Sequence, residues 1–429
     1  LALAPATVWA QGELDVPGRE AAPVVPLPIY NSRPEAGGFY TALEFVMLRQ
    51  TRDFKPQRVA VRGGVDIDGS IEADLGGSFV IVGTTVEFVP GPPGPAGSFV
   101  GSGTEALNVD QLNSQWSYQP GWRFTAGWRF SDATTFEIRW LHVNQARYNA
   151  SADIIPRGFK VGPQLLDTWL FSPVFNFTNS FAGESVELGV GNPGAGYGIW
   201  NFAQEMSIQF QQRYDQSDWW GKSLVREDPI SRTYIVAGAR FAWIWESFLW
   251  RTVSRDSLGN AGPQDVANYT NTVSNRMYGP VMGCQHDVYL GTVGRIGAFS
   301  MQFHVDFAPM VDIAKERAQY ERGDRATSAK KSVTEYTFSP EVNGELSLTW
   351  HPVAGVEVRL GWDSMMFLNT VHTDKPISFN VGQIGATQDF GAGALPGVVV
   401  PGDGRSDPIW TRKALRYIDG LSFGVGISF

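Results

Sequence analysis

The stretch GWRFTAGWRF places Arg123, Thr125, Gly127 and Arg129 on one side of an extended chain and Trp122, Phe124, Ala126, Trp128 and Phe130 on the other, because successive side chains of a strand point to opposite faces. The next segment, TTFEIRWL, opposes Glu137 and Arg139 to Phe136, Ile138 and Trp140 in the same way. Guanidinium and carboxylate groups thus fall on one face of two neighbouring strands. The same parity assigns Glu205 of FAQEMSIQFQQR, Arg240 of YIVAGARFAWIWESFLW, Glu341 and Glu345 of FSPEVNGELSLTW, and Glu357 and Arg359 of VEVRLGW to that face. Two kinds of chemistry suit such a set. The charges can line a watery passage and select solutes by sign, or they can pair across strands and fill a narrow interior. Barrels of about eight strands are filled by their own side chains, whereas open channels take about 16.

Other chemistry is thinly represented. VDIDGSIEAD sets Asp66, Asp68, Ser70, Glu72 and Asp74 at alternate positions around Asp68-Gly69. Asp-Gly favours a hairpin turn; the alternative is a bound Ca²⁺ on Asp66, Asp68 and Glu72, although the full calcium-loop spacing is missing. The one cysteine, Cys284, cannot form an internal disulfide and reads as a small packing residue. No zinc-ligand spacing occurs and no other cofactor is implied. His142 and His304 fall on the charged face, but no serine stands in a Gly-x-Ser-x-Gly elbow beside a histidine, so the chain reads as a non-enzyme.

The totals agree with an all-β chain. Hydrophobic residues make up 43% and charged residues 18% of 429 residues, with 48 Gly, 15 Trp and 27 Phe, a mixture of short turns and aromatic anchors rather than of helices or disorder. A net charge of −9 without a basic face argues against a nucleic-acid partner. The first ten residues, LALAPATVWA, resemble the end of a secretory signal, with Val8 and Ala10 at the cleavage positions. Residues 1–37, rich in Pro, Gly and Ala, read as an arm, on the periplasmic side of a barrel occupying 38–429.

From residue 38 onward every strong segment has period 2, giving about ten strands. The connections alternate in length: roughly 69, 57, 24, 25 and 44 residues against short ones of roughly three to five and one of about 17, the last containing SDWWGK. An up-and-down transmembrane antiparallel β-barrel sorts its connections this way, with short turns on one side and long loops, here about 51–119, 145–201 and 371–414, on the other. A twelve-stranded version would recruit FVIVGTTVEFV or TWLFSPVFNFT. The alternative fold, a two-sheet sandwich, also buries alternate residues, but it gives no reason for outward Trp beside inward Arg. Trp122, Trp128, Phe130, Trp140, Trp219, Trp220, Trp243, Trp245 and Trp250 are assigned to the lipid face and its aromatic girdles. The last strand, LSFGVGISF, must zip to the first because a closed barrel has no edge; Phe423 and the terminal Phe429 mark that closure and resemble the signal presented to barrel-insertion machinery.

These segments resemble the planctomycete outer-membrane β-barrel porin family (the beta-barrel porin-seven group). The resemblance rests on GGFYTALEFVMLRQ, GWRFTAGWRFSDATTFEIRWL, SNRMYGPVMGCQHDVYL, FSPEVNGELSLTWHPVAGVEVRLGW and GLSFGVGISF, about half of the chain. It implies an integral barrel in a bacterial outer membrane and names no catalytic residue. Two functions follow as expectations: a porin-like channel for small hydrophilic solutes, or a structural protein whose barrel anchors loops and arm that make homo-oligomeric or lattice contacts. An outer-membrane enzyme is a remote third. The charged run KERAQYERGDRATSAKK reads as a solvated loop, or as a contact for lipid headgroups or a neighbouring subunit.

Overall fold

The computed structural model describes residues 38–372 and 412–429, apart from 67–68, 96–97, 131–133, 155–166, 173–197, 257, 294–295, 326–327 and 354. The N-terminal arm, Asp68, the loop 373–411 and most of TWLFSPVFNFT therefore lie outside the described residues.

One sheet holds β1 (Gly38–Thr51), β2 (Gln119–Arg129), β3 (Thr135–Asp153), β4 (Glu205–Asp228), β5 (Ser231–Val253), β6 (Val266–Val293), β7 (Gly297–Ala308), β8 (Val311–Arg322), β9 (Ser328–Phe338), β10 (Glu341–Val353), β11 (Val356–His372) and β12 (Arg412–Ser428). All pairings are antiparallel. Ten of these close a ring, β1-β2-β3-β4-β5-β6-β7-β10-β11-β12 and back to β1. The other two prolong it: β8 continues β7 beyond Pro309, and β9 runs into β10 across Ser339-Pro340. Proline withholds a ladder donor, and both strands are interrupted where these prolines stand. Closure is in register, Thr41 opposite Ile427 and Phe45 opposite Phe423, with the Phe429 N–H donating to the Phe39 carbonyl at 2.9 Å.

Two readings of the alternation are corrected here. The stretch around SDWWGK is no connection: β4 runs through it to Asp228, and only Pro229-Ile230 separates β4 from β5. The sheet counts twelve strands, but the two beyond the ring are β8 and β9 and not FVIVGTTVEFV. Ser78–Val82 and Thr85–Val89 pair only with each other as a separate hairpin. The Asp-Gly turn is likewise replaced, since a short helix, Ser70–Leu75, starts at Gly69.

Strands β3 to β6 are long because they serve two environments. Along β1 the outward series Phe39, Thr41, Leu43, Phe45, Met47 covers ~20 Å of height at ~3.3 Å per residue and a tilt near ~40°. That is close to the ~25 Å apolar band of outer-membrane barrels. Above that height the pattern inverts. On β4, Trp219 and Val225 face out below while Gln216, Asp218 and Lys222 face in; above, Ser207, Gln209 and Gln211 face out while Met206, Ile208 and Phe210 are buried inside. In lipid the apolar face must point outward; in water it must point at a core. On β3 a bulge between Val143 and Ala146 turns the strand over, so that Ala146, Tyr148 and Ala152 face inward.

Gly127 marks a close approach that the ring requires. A Cβ there would lie 2.3 Å from the Tyr40 ring, which crosses the glycine so that its hydroxyl donates to Glu137 at 2.7 Å. Gly127→Val displaces that ring and is expected to cost about 1–3 kcal/mol, read as an earlier urea midpoint for the micelle-folded protein.

Candidate functional site

The inward charges meet inside the membrane-spanning part of the ring. Arg123 from β2 lies 2.8 Å from Glu44 (β1), 2.5 Å from Asp363 (β11) and 3.5 Å from Glu345 (β10). Arg139 reaches Glu345 at 2.9 Å and Glu137 at 3.6 Å, and Lys222 reaches Glu137 at 2.8 Å. Arg359 stands between Glu357 at 3.4 Å, Glu44 at 3.5 Å and Glu345 at 3.7 Å. The Trp220 indole N–H closes this group by donating to Glu137 at 3.0 Å.

A second group surrounds Arg240. Its Nε lies 2.5 Å from Asp218, its Nη1 2.7 Å from Asp306, and its Nη1 also 3.2 Å from Glu341. His304 and Asn343 each contact the Asp306 carboxylate at 2.9 Å. All these side chains are buried. Removing so many ions from water costs several kcal/mol apiece, which only multiple close partners can offset; each arginine here has three, except Arg139 with two. The interior is therefore a knitted ion-pair lattice among the described residues.

Above it, among the described residues, lie two further levels of packed side chains. An apolar layer of Leu48, Val143, Tyr214, Ile244, Met277, Met365, Phe367 and Ile418 crosses the interior. A half-open pocket in the wall beside the β3 bulge, lined by Leu48, Gln50, Ala146, Gln212 and Tyr214 and by Gln119, Asn144 and Arg213 of the outer side, amounts to about 10 Å³, room for a single water. Beside it Glu246 is clasped by Arg52 and Arg416. Higher still, the loops fold into the mouth. Phe54, Val59, Leu107, Leu112, Leu170, Ile199 and Trp200 pack against the inward apolar residues of β3 to β6 and β8. The Trp200 ring lies 4.2 Å from that of Trp250 with the planes inclined at 54°, and it donates its indole N–H to Tyr320 at 3.0 Å. Burial in this cap raises the Tyr320 hydroxyl above its usual range.

Arg123, Arg129, Glu137, Arg139, Arg240, Glu341, Glu345, Glu357 and Arg359 all point inward and are buried. Glu205 does not. It belongs to the upper part of β4, where polarity is inverted, and faces out to pair with Arg255 at 3.2 Å. His142 is also outward, 2.6 Å from Asp215, whereas His304 is inward. Trp122, Trp128, Phe130, Trp140, Trp219, Trp243 and Trp245 lie on the outer surface, as do Phe423 and Phe429. Trp220 and Trp250 are the corrections: both are fully buried inside, Trp220 because it alternates with Trp219 on a continuous strand and Trp250 because it stands above the inversion. Cys284 is exposed on the outer face rather than packed. Asp66 uses both oxygens on backbone amides, Gly69 and Glu72 at 2.9 Å each, and Glu72 accepts from Ser98 at 3.3 Å. Among the described residues no three acidic, His or Cys side chains gather as a metal site.

Glu44, Asp306 and Asp363 are lattice members that charge parity could have found, since each alternates with outward apolar residues. Asp218 and Lys222 were hidden by reading their strand as a connection. Arg52, Glu246 and Arg416 meet only through closure.

A closed antiparallel ring with an apolar belt, an inward charge lattice and long loops on one rim defines a β-barrel of the outer-membrane type. No family model matches the chain, and no curated protein matches it. Among solved structures it is similar to the outer membrane protease OmpT from Escherichia coli, with a TM-score of 0.40 and 8% identity over 91% of this chain and 97% of that one. It is also similar to the CymD monoaromatic hydrocarbon channel, with a TM-score of 0.23 and 8% identity over 93% and 91% of the two chains. A Pseudomonas aeruginosa FadL homologue gives 0.21 and 7% over 92% and 90%. Likenesses this distant carry no argument about activity.

Arg240→Met leaves three carboxylates around an apolar side chain and is expected to destabilise by about 3–5 kcal/mol, whereas Glu205→Gln changes stability by less than about 0.5 kcal/mol. Both are checked by urea unfolding in micelles. Trp200→Ala is expected to cost about 3–5 kcal/mol and to speed proteolysis of the loops while leaving the membrane-spanning strands protected.

Proposed function

We propose that this protein is a bacterial outer-membrane barrel that anchors a folded cap at the cell surface, rather than a diffusion channel. The observation that carries this reading is the succession of ion lattice, apolar layer and loop plug along the barrel axis. A passage for hydrophilic solutes needs inward charges that face water. Here they are paired with one another, and the layer above them is largely apolar, the Tyr214 hydroxyl within it donating to Gln216. The cap shares a hydrophobic core with the upper strands, and the loop that supplies Phe54, Leu107 and Leu112 to it includes the hairpin Ser78–Val89, whose Phe79 and Ile81 are each 75% exposed. A rigid stalk bearing such a surface suits contacts with neighbouring copies or other envelope components.

Conductance in a planar lipid bilayer tests it. The expected outcome is insertion, verified by protease protection of the strands, without steady current steps. Reproducible steps that scale with salt would overturn the anchor reading in favour of a porin-like channel, and charge reversal at Arg123 or Glu345 would then shift the ion selectivity.

A further inference from the structure

We propose that the outer face of β4, β5, β6 and β8, just above the apolar belt, binds the phosphorylated headgroup of a glycolipid of the outer leaflet. Four cations face outward there from three different strands. Arg213 projects from β4, Arg276 from β6, and Lys315 and Arg317 from β8. The sheet register draws them into a compact field: Arg213 is opposite Trp245, Trp245 opposite Ser274, Ser274 opposite Lys315, and Arg276 opposite Trp243.

Trp243 organises the field. Its indole N–H donates to Ser274 at 3.0 Å, which ties the ring to β6. The Arg213 guanidinium lies 4.2 Å from the ring centroid and the Arg276 guanidinium 6.0 Å. Such cation–aromatic contacts hold both charges at the level of the girdle. The nearby acids have partners, one of which is Arg213 of the field itself. Asp215 contacts His142 at 2.6 Å and Arg213 at 3.4 Å, Glu321 contacts Gln319 at 3.0 Å and Arg325 at 3.4 Å, and Glu335 contacts Lys413 at 2.9 Å. Arg276 and Lys315 have no carboxylate within ion-pair distance among the described residues.

The occupant follows from position and lining. The field starts where the outward apolar series of Phe241, Trp243 and Val311 gives way to polar residues, so whatever it holds has its tails against the barrel. Anionic headgroups are what a cationic rim beside a hydrocarbon belt attracts. Directly above lies a surface cavity of about 270 Å³ lined by Asn268, Thr270, Thr272, Arg317, Gln319 and Glu321. Amide and hydroxyl groups of this kind suit sugar hydroxyls, with the cations below taking the phosphate. This assigns part of the charged run at Lys315 to the membrane boundary rather than to a solvated loop.

The test titrates the full chain, folded in an uncharged detergent, with three probes. These are diphosphorylated lipid A, the same lipid after phosphate removal, and inorganic phosphate, with bound lipid followed by native mass spectrometry. Saturable binding of the phosphorylated lipid is expected, with about a five-fold loss of affinity for each charge removed in Arg276→Gln and Lys315→Gln. Arg276→Lys should retain most of the binding, and Arg226→Gln on the opposite rim should leave it unchanged. Equal binding of the phosphate-free lipid, displacement by inorganic phosphate at matched concentration, or unaltered affinity in the Arg276→Gln/Lys315→Gln double variant would overturn the assignment.

Discussion

Backbone N–H and C=O groups have no water to turn to in hydrocarbon, and in this protein that constraint governs everything else. It forces ten strands into a ring, demands that β12 return to β1, and leaves no tolerance for an unpaired edge inside the membrane. Each local choice then has to serve closure. Gly127 and Gly424 let Tyr40 and Glu44 cross neighbouring strands at a distance no side chain would permit. The two prolines that interrupt the ladder, Pro309 and Pro340, stand side by side on adjoining strands, between the ring and its prolongation.

Once the ring is closed, its inner face becomes a problem in electrostatics. Ten strands enclose a space too narrow for bulk water and too polar to pack as an ordinary core. The arginines solve this by multiple engagement: Arg123 and Arg240 each hold three carboxylates from different strands. Such lattices contribute little net stability against a well-packed apolar alternative, but they penalise any register in which one member loses its partners. The lattice therefore acts as a register lock as well as a filling.

The polarity inversion along β3 to β6 unites the barrel and its cap. A strand that continues past the lipid boundary keeps its backbone geometry while its surroundings change from hydrocarbon to water. The same two faces then exchange roles, so that Phe210 and Trp250 are core residues whereas Trp219 and Trp243 are boundary residues, although all four lie on the same pair of strands. The loop plug is the counterpart of this exchange, since the inward apolar faces above the membrane need something to bury.

The sequence by itself determined the fold class. Period 2, the alternation of long and short connections and aromatic residues opposite arginine suffice to read an antiparallel barrel of about ten strands, because in lipid the pleat and the environment write the same pattern on every strand. They also place Arg123, Arg129, Glu137, Arg139, Arg240, Glu341, Glu345, Glu357 and Arg359 on the inner face. Glu205, His142, Trp220 and Trp250 were misassigned. A period of 2 states which residues share a face but not which face is inside, and that sign changes at the lipid boundary, which accounts for Glu205 and Trp250; Trp220 was lost by breaking its strand at SDWWGK, and His142 shares the outward parity of Phe136, Ile138 and Trp140. Only the tertiary structure decided the partners: Arg52, Glu246 and Arg416 are far apart in the chain and meet because the ring closes and a loop enters it. Whether inward charges face water or one another depends on the ring's diameter and on what fills its mouth, which are properties of the assembled barrel and not of any strand.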